Sequence, residues 1–115
     1  MKTKLSFILF FVCVYANVHS QTIITSQEAK NHIGDSVTVR GTVSEIFTSE
    51  KGNVFISFDN KYPEETFSVV IFKRNNLDIS TIKVGSVLTV CGRIHSFNNK
   101  PEMILKAQEQ IMKVE

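Results

Sequence analysis

Apolar and polar residues alternate with a period of two along "GDSVTVRGTVSEI" (34–46) and again along "GSVLTVCGRIHSF" (85–97). At an offset of 51, Gly34 matches Gly85, Thr38 matches Thr89, Val39 matches Val90 and Gly41 matches Gly92. Val37, Val39 and Val43 share one face of a predicted strand, as do Leu88, Val90 and Ile94. In each copy a glycine takes the inward position before the last apolar residue. A glycine inside a strand is favoured where the backbone bends or another chain segment approaches closely, so Gly41 and Gly92 predict two long strands coiling around a small barrel. Two copies with unlike intervening sequence are too few for a solenoid.

Between the copies, "NVFISFD" (53–59) puts Val54, Ile56 and Phe58 on one face and Phe55, Ser57 and Asp59 on the other. "TFSVVIF" (66–72) is apolar on both faces, the pattern of a central or partly covered strand. "EKGN" (50–53) and "DNKYPEE" (59–65) read as turns. "RNNLDISTIKVG" (74–85) lacks alternation and predicts a short helix or turn with Leu77, Ile79 and Ile82 inward. "NNKP" (98–101) turns the chain into a last strand over 102–107. Ahead of the first strand, 25–34 predicts a short helix with Ser26 as cap and Gly34 as stop.

The N-terminus has a different grammar. Lys2 and Lys4 precede an uncharged apolar run over 5–16, with "VHS" at 18–20, and residues 1–20 are expected to be a cleaved secretory signal. The run is shorter than the roughly 20 residues of a membrane span, so the protein is expected to be exported, periplasmic or secreted, with no span after cleavage. This changes the charge. The chain has 13 Lys+Arg and 11 Asp+Glu; two lysines leave with residues 1–20, so 11 of each remain and the rest is formally neutral. A nucleic-acid contact must then rest on a local patch. Cys13 leaves as well, so Cys91 has no internal disulfide partner; it is expected as a thiol covered by the terminal segments, with an intermolecular disulfide as the other possibility. One domain over 21–115 is expected, as a monomer.

Catalytic and metal chemistry find no pattern. His32 and His95 are the only histidines after residue 20, without nucleophile or acid at a readable spacing. There is no cysteine pair, no paired histidines at ligand spacing and no calcium-loop pattern. The expectation is a non-enzymatic protein without cofactor or metal.

The segments "VTVRGTV", "YP…F.VVIF" (Tyr62, Pro63 and Phe67–Phe72) and "VCGRI…NKPEMIL" resemble those of the small bacterial OB-fold domains labelled as nucleic-acid binding, related in shape to the anticodon-binding barrels of tRNA synthetases. The resemblance covers residues 33–112. It implies an all-β fold, a five-stranded Greek-key OB-fold barrel with a short N-terminal helix and a short helix or turn between strands three and four. It also implies binding on the exposed face of strands two and three, between loops 48–53 and 96–100. That face maps to Phe55, Ser57, Phe72, Lys73 and Arg74, with Lys100 in the second loop. Phe55 is the stacking candidate, or else lies beneath a loop or the terminal helix. Tyr62 stacks on a ligand or anchors its turn to the barrel. Arg93 and His95 share outward parity with Arg40 and form a polar stripe or are simply solvated; Lys73 and Arg74 touch phosphate or mark a solvated strand end. Because the fold hosts many ligands, two partner classes stand: single-stranded nucleic acid, and an envelope protein or glycan.

Overall fold

The computed structural model describes residues 22–115; the expected signal segment lies outside the described residues. Both copies of the repeat are long strands, β2 (Ser36–Thr48) and β5 (Val87–Phe97). They pair antiparallel with Val39 opposite Val90. Between them run β3 (Val54–Phe58) and β4 (Phe67–Ile71), and after them β6 (Lys100–Ile104). The pairing runs β2–β3–β4–β6–β5 and returns to β2, with β4 and β6 parallel and every other pair antiparallel. This is the expected five-stranded OB topology.

The inward set forms the core. Val39, Val43, Ile56, Phe58, Phe67, Val69, Leu88, Val90, Ile94, Met103 and Leu105 are buried together. Phe58 and Phe67 tilt against each other with centroids 5.1 Å apart. Of the link between β4 and β5, only Lys73–Asn75 is helical, a 3-10 turn, while Ile82 is buried and Leu77 and Ile79 pack on the core.

Three local expectations need correction. The N-terminal helix is a 3-10 segment, Ser26–Asn31, and Thr25 is its cap in place of Ser26. Thr25 Oγ1 accepts from Glu28 N (3.3 Å) and Thr25 N donates to Glu28 Oε1 (2.9 Å), a reciprocal capping box. Ser26 is buried instead and donates to Asp59 Oδ2 at 2.6 Å. The last ring strand starts at Lys100 and ends at Ile104, earlier than 102–107. Two short edges were not anticipated: β1 (Ile23–Thr25), parallel to β2, and β7 (Ile111–Val114), antiparallel to β5. Strands of three and four residues carry too little alternation to be read.

Asp59 ties the N-terminal segment to the ring, since its Oδ2 accepts from both Ser26 Oγ and Thr66 Oγ1. Its backbone has φ of 70°, a region where Asp is tolerated better than most residues. Asp59→Ala removes the acceptor of two hydroxyls and places alanine at positive φ. The expected loss is about 2 kcal/mol in urea unfolding, with Asp59→Asn losing less. Equal stability of wild type and Asp59→Ala would show the network to be dispensable.

Candidate functional site

The outward face of the ring is shaped by one extra residue. Val43 pairs with Phe58, but the next pair is Glu45 with Ser57, so Ser44 is a β-bulge. Its Oγ lies 2.9 Å from Ser57 O and 2.6 Å from Asn60 O, donating into both. Uninterrupted alternation from Val43 would put Glu45 and Phe47 inside. The bulge turns both outward and directs Ile46 to the core. Phe47 then stands opposite Phe55, their centroids 6.2 Å apart. On β5 no bulge intervenes, and Phe97 follows His95 on the outward side, opposite Lys100.

These side chains enclose an open groove of about 680 Å³. Phe47, Phe55, Tyr62 and Phe97 give it aromatic walls, and Ser57, Ser68 and Glu102, neighbours across β3, β4 and β6, form a polar strip beneath them. The loop carrying Tyr62 is tied down at two points. Tyr62 N donates to Glu45 Oε1 (3.1 Å), and Lys100 Nζ pairs with Glu65 Oε1 (2.7 Å) while also donating to Pro63 O. The same ammonium lies 5.5 Å from the Tyr62 ring centroid, within cation–π range.

The charge of the groove is therefore acidic. Glu45, Glu65 and Glu102 line it with Lys100 as the ammonium among its lining residues, and Lys100 is already engaged. Burial pushes the Glu102 carboxyl above the ordinary carboxylate range, and nearby Glu65 adds to the effect. Aromatic faces can stack on planar rings, and the carboxylates can accept hydrogen bonds; the groove itself offers little to a phosphate.

A model of the OB-fold nucleic acid binding domain of the tRNA anticodon type matches residues 37–111. The chain belongs to this family. The matched span of the OB domain runs from β2 to the start of β7, leaving β1 and the capped 3-10 segment outside. Among solved structures, a candidate nucleic acid-binding lipoprotein from Klebsiella pneumoniae is 16% identical, covering 77% of this chain and 92% of its own, with a TM-score of 0.53. A candidate aspartyl-tRNA synthetase from Leishmania major is also 16% identical, covering 76% of this chain and 20% of its own, with a TM-score of 0.54. Both show the OB fold. No curated protein matches the chain.

The OB domain brings four of the expected site residues, Phe55, Ser57, Tyr62 and Lys100, to the one groove. Phe72, Lys73 and Arg74 lie outside its lining, at the loop between β2 and β3. Asn53 Oδ1 accepts from Lys73 N (3.0 Å), the Lys73 stem lies over Gly52, and the Arg74 guanidinium stacks 4.8 Å from the Phe72 centroid. Arg93 is exposed opposite Ser36 on the other part of β5, and Arg40 pairs with Glu115 (3.1 Å) instead of joining a stripe. His95 stands opposite Glu102 with its Nε2 buried and without a partner. Cys91 is half-buried, a free thiol whose pKa burial raises, and its carbonyl accepts from Gln110 Nε2 (3.0 Å). Glu45, Phe47, Glu65, Ser68 and Glu102 were not anticipated, and Phe97 was covered by the expected loop 96–100 without being named. Phe97 was readable by extending the outward parity of His95 by two; Glu45 and Phe47 were hidden by the bulge.

Proposed function

We propose that the chain is a non-enzymatic module that binds single-stranded nucleic acid, with bases stacked in the aromatic groove. The observation that carries this reading is the convergence of Phe47, Phe55, Tyr62 and Phe97 on one face, three of them largely exposed at 57%, 73% and 60% for Phe47, Tyr62 and Phe97. Stacking on such platforms contributes roughly 1–3 kcal/mol per base. Family membership supports the ligand class. The carboxylates in the groove require the phosphates to run outside it, toward Lys51, Lys73 and Arg74 near the β2–β3 loop.

A salt titration with a short oligonucleotide tests this. Three cations give a slope of log affinity against log salt of about −2 for a single strand. The expected result is measurable binding with a slope this shallow. Absence of binding at low salt would remove the nucleic-acid reading.

A second reading, an exported module binding protein or oligosaccharide, is favoured by the acidity of the same groove. Retention of an oligosaccharide or a basic peptide without any oligonucleotide binding would select it. Export is part of both readings. Residues 1–20 carry the charge and apolar pattern of a signal, and protein recovered outside the cytoplasm is expected to begin at or near Gln21. Among the described residues, no helix is long and apolar enough to cross a membrane.

A further inference from the structure

We infer that the groove selects bases by the hydrogen-bond donors they present, guanine foremost, and that Glu102 is the residue that makes the selection. The inference rests on the nucleic-acid reading above and goes beyond it to a base preference.

Donors and acceptors are unevenly supplied at the groove. Lys100 would be the natural donor to a base carbonyl, but its ammonium is held by Glu65, Pro63 O and the Tyr62 ring. The remaining side-chain donors in the lining are the hydroxyls of Ser57, Ser68 and Tyr62 and the Asn98 amide. Acceptors dominate. An ionised carboxylate has two oxygens and no donor, and three carboxylates line the groove.

The three are not equivalent. Glu65 is nearly buried, with its side chain 8% exposed, and is paired to Lys100. Glu45 has Oε1 occupied by Tyr62 N. Glu102 lies mid-floor, with Ser68 beside it on one strand and His95 on the other. Among the described residues, the ion pairs formed are His32–Asp35, Arg40–Glu115, Lys100–Glu65 and Lys113–Glu115, so none reaches Glu102. A half-buried carboxylate without donors is a poorly satisfied group. Its upward pKa displacement is the same fact seen in protonation.

A ligand edge bearing two adjacent N–H groups answers that deficit. Guanine presents N1–H and the 2-amino group side by side, matching the two oxygens of one carboxylate. Cytosine and adenine present a single amino group, for which a carboxylate also accepts. Thymine and uracil present two carbonyls flanking one N–H, and those carbonyls would face carboxylate oxygens. The order follows: guanine, then cytosine and adenine, then thymine.

The test uses the full chain and fluorescence anisotropy at low salt. The strands are all-thymine, the same strand with one central guanine, and the same strand with inosine there, which keeps N1–H and lacks the 2-amino group. Guanine is expected to tighten binding about 10- to 100-fold over thymine, the range of a good bidentate pair, and inosine to forfeit most of that gain. In Glu102→Gln the ratio of guanine to thymine affinity should collapse toward one. Equal binding of the guanine and thymine strands by the wild type, equal binding of guanine and inosine, or survival of the preference in Glu102→Gln would each overturn the inference while leaving strand binding standing. Binding of none of the strands would overturn both, the nucleic-acid reading being the part that failed. The inosine comparison needs no variant and holds even if Glu102→Gln does not fold.

Discussion

Gly41→Ala will destabilise the protein by about 3 kcal/mol, the upper end of ordinary overpacking, a fall of roughly 12–24 °C in Tm for a domain of this size. A Cβ built at Gly41 overlaps Ser26 Oγ and comes within 2.8 Å of Ser26 Cβ and 2.9 Å of a Phe58 ring carbon. Neither neighbour can retreat. Ser26 is buried and bonded to Asp59, and Phe58 is fully buried against Phe67. Gly92 is its partner in the repeat, yet a Cβ there meets the Gln110 amide nitrogen at 2.9 Å and the Met103 sulfur at 3.1 Å. Those are ends of flexible side chains, but Gly92 also has a φ of 157°, a backbone conformation that L side chains rarely adopt. Gly92→Ala is therefore expected to lose stability as well, about 1–3 kcal/mol through backbone strain. Thermal melts of both variants decide it. A Gly41→Ala variant that melts like the wild type would mean that the N-terminal segment does not press on β2 as described.

The repeat made both glycines visible but not what each one does, because Gly41 is required by what it faces and Gly92 also by its own backbone. Gly41 is covered by Ser26, a residue from a segment outside the repeat. The ring itself was legible for a simple reason. Its strands are half-buried, and a half-buried strand writes its register into a period of two. β1 and β7 are too short to do so.

The bulge marks where that legibility stops. Gly34 and Gly85, or Val43 and Ile94, correspond at an offset of 51. Beyond Ser44 the structural correspondence shifts to 50, pairing Glu45 with His95 and Phe47 with Phe97 on the outward side. The one sign in the sequence is the spacing of three between Val43 and Ile46, where the preceding inward residues are spaced by two. A bulge inferred from that spacing would have brought Phe47 and Glu45 to the candidate face.

Charge was hidden differently. The formal neutrality of residues 21–115 conceals a separation in space, with Glu45, Glu65 and Glu102 meeting in the groove while Lys73 and Arg74 stay outside it. The three glutamates come from β2, the loop before β4, and β6. Only the ring closes the distance between them, through the parallel pairing of β4 with β6. No local spacing could have announced the acidic groove, and Lys100, expected to touch a ligand, is taken up in holding the Tyr62 loop.

The double variant Phe47→Ala/Phe55→Ala will weaken oligonucleotide binding by about 3 kcal/mol, roughly 150-fold, if the groove holds stacked bases. Each aromatic platform contributes roughly 1–3 kcal/mol by alanine substitution. The two losses will not add fully, since the rings are 6.2 Å apart and serve one tier of the groove. Fold damage should stay small. Phe47 is 57% exposed and Phe55 is only partly buried, and neither belongs to the central core. The slope of log affinity against log salt should remain that of the wild type, because no cation is removed; a Lys73→Ala/Arg74→Ala variant should flatten it by about 0.7 for each phosphate it no longer neutralises. The contrast separates stacking from charge within one protein. A double phenylalanine variant that melts like the wild type and binds the strand as tightly would show that bases do not enter this groove, and the acidic aromatic face would then be read as the seat of a protein or glycan partner.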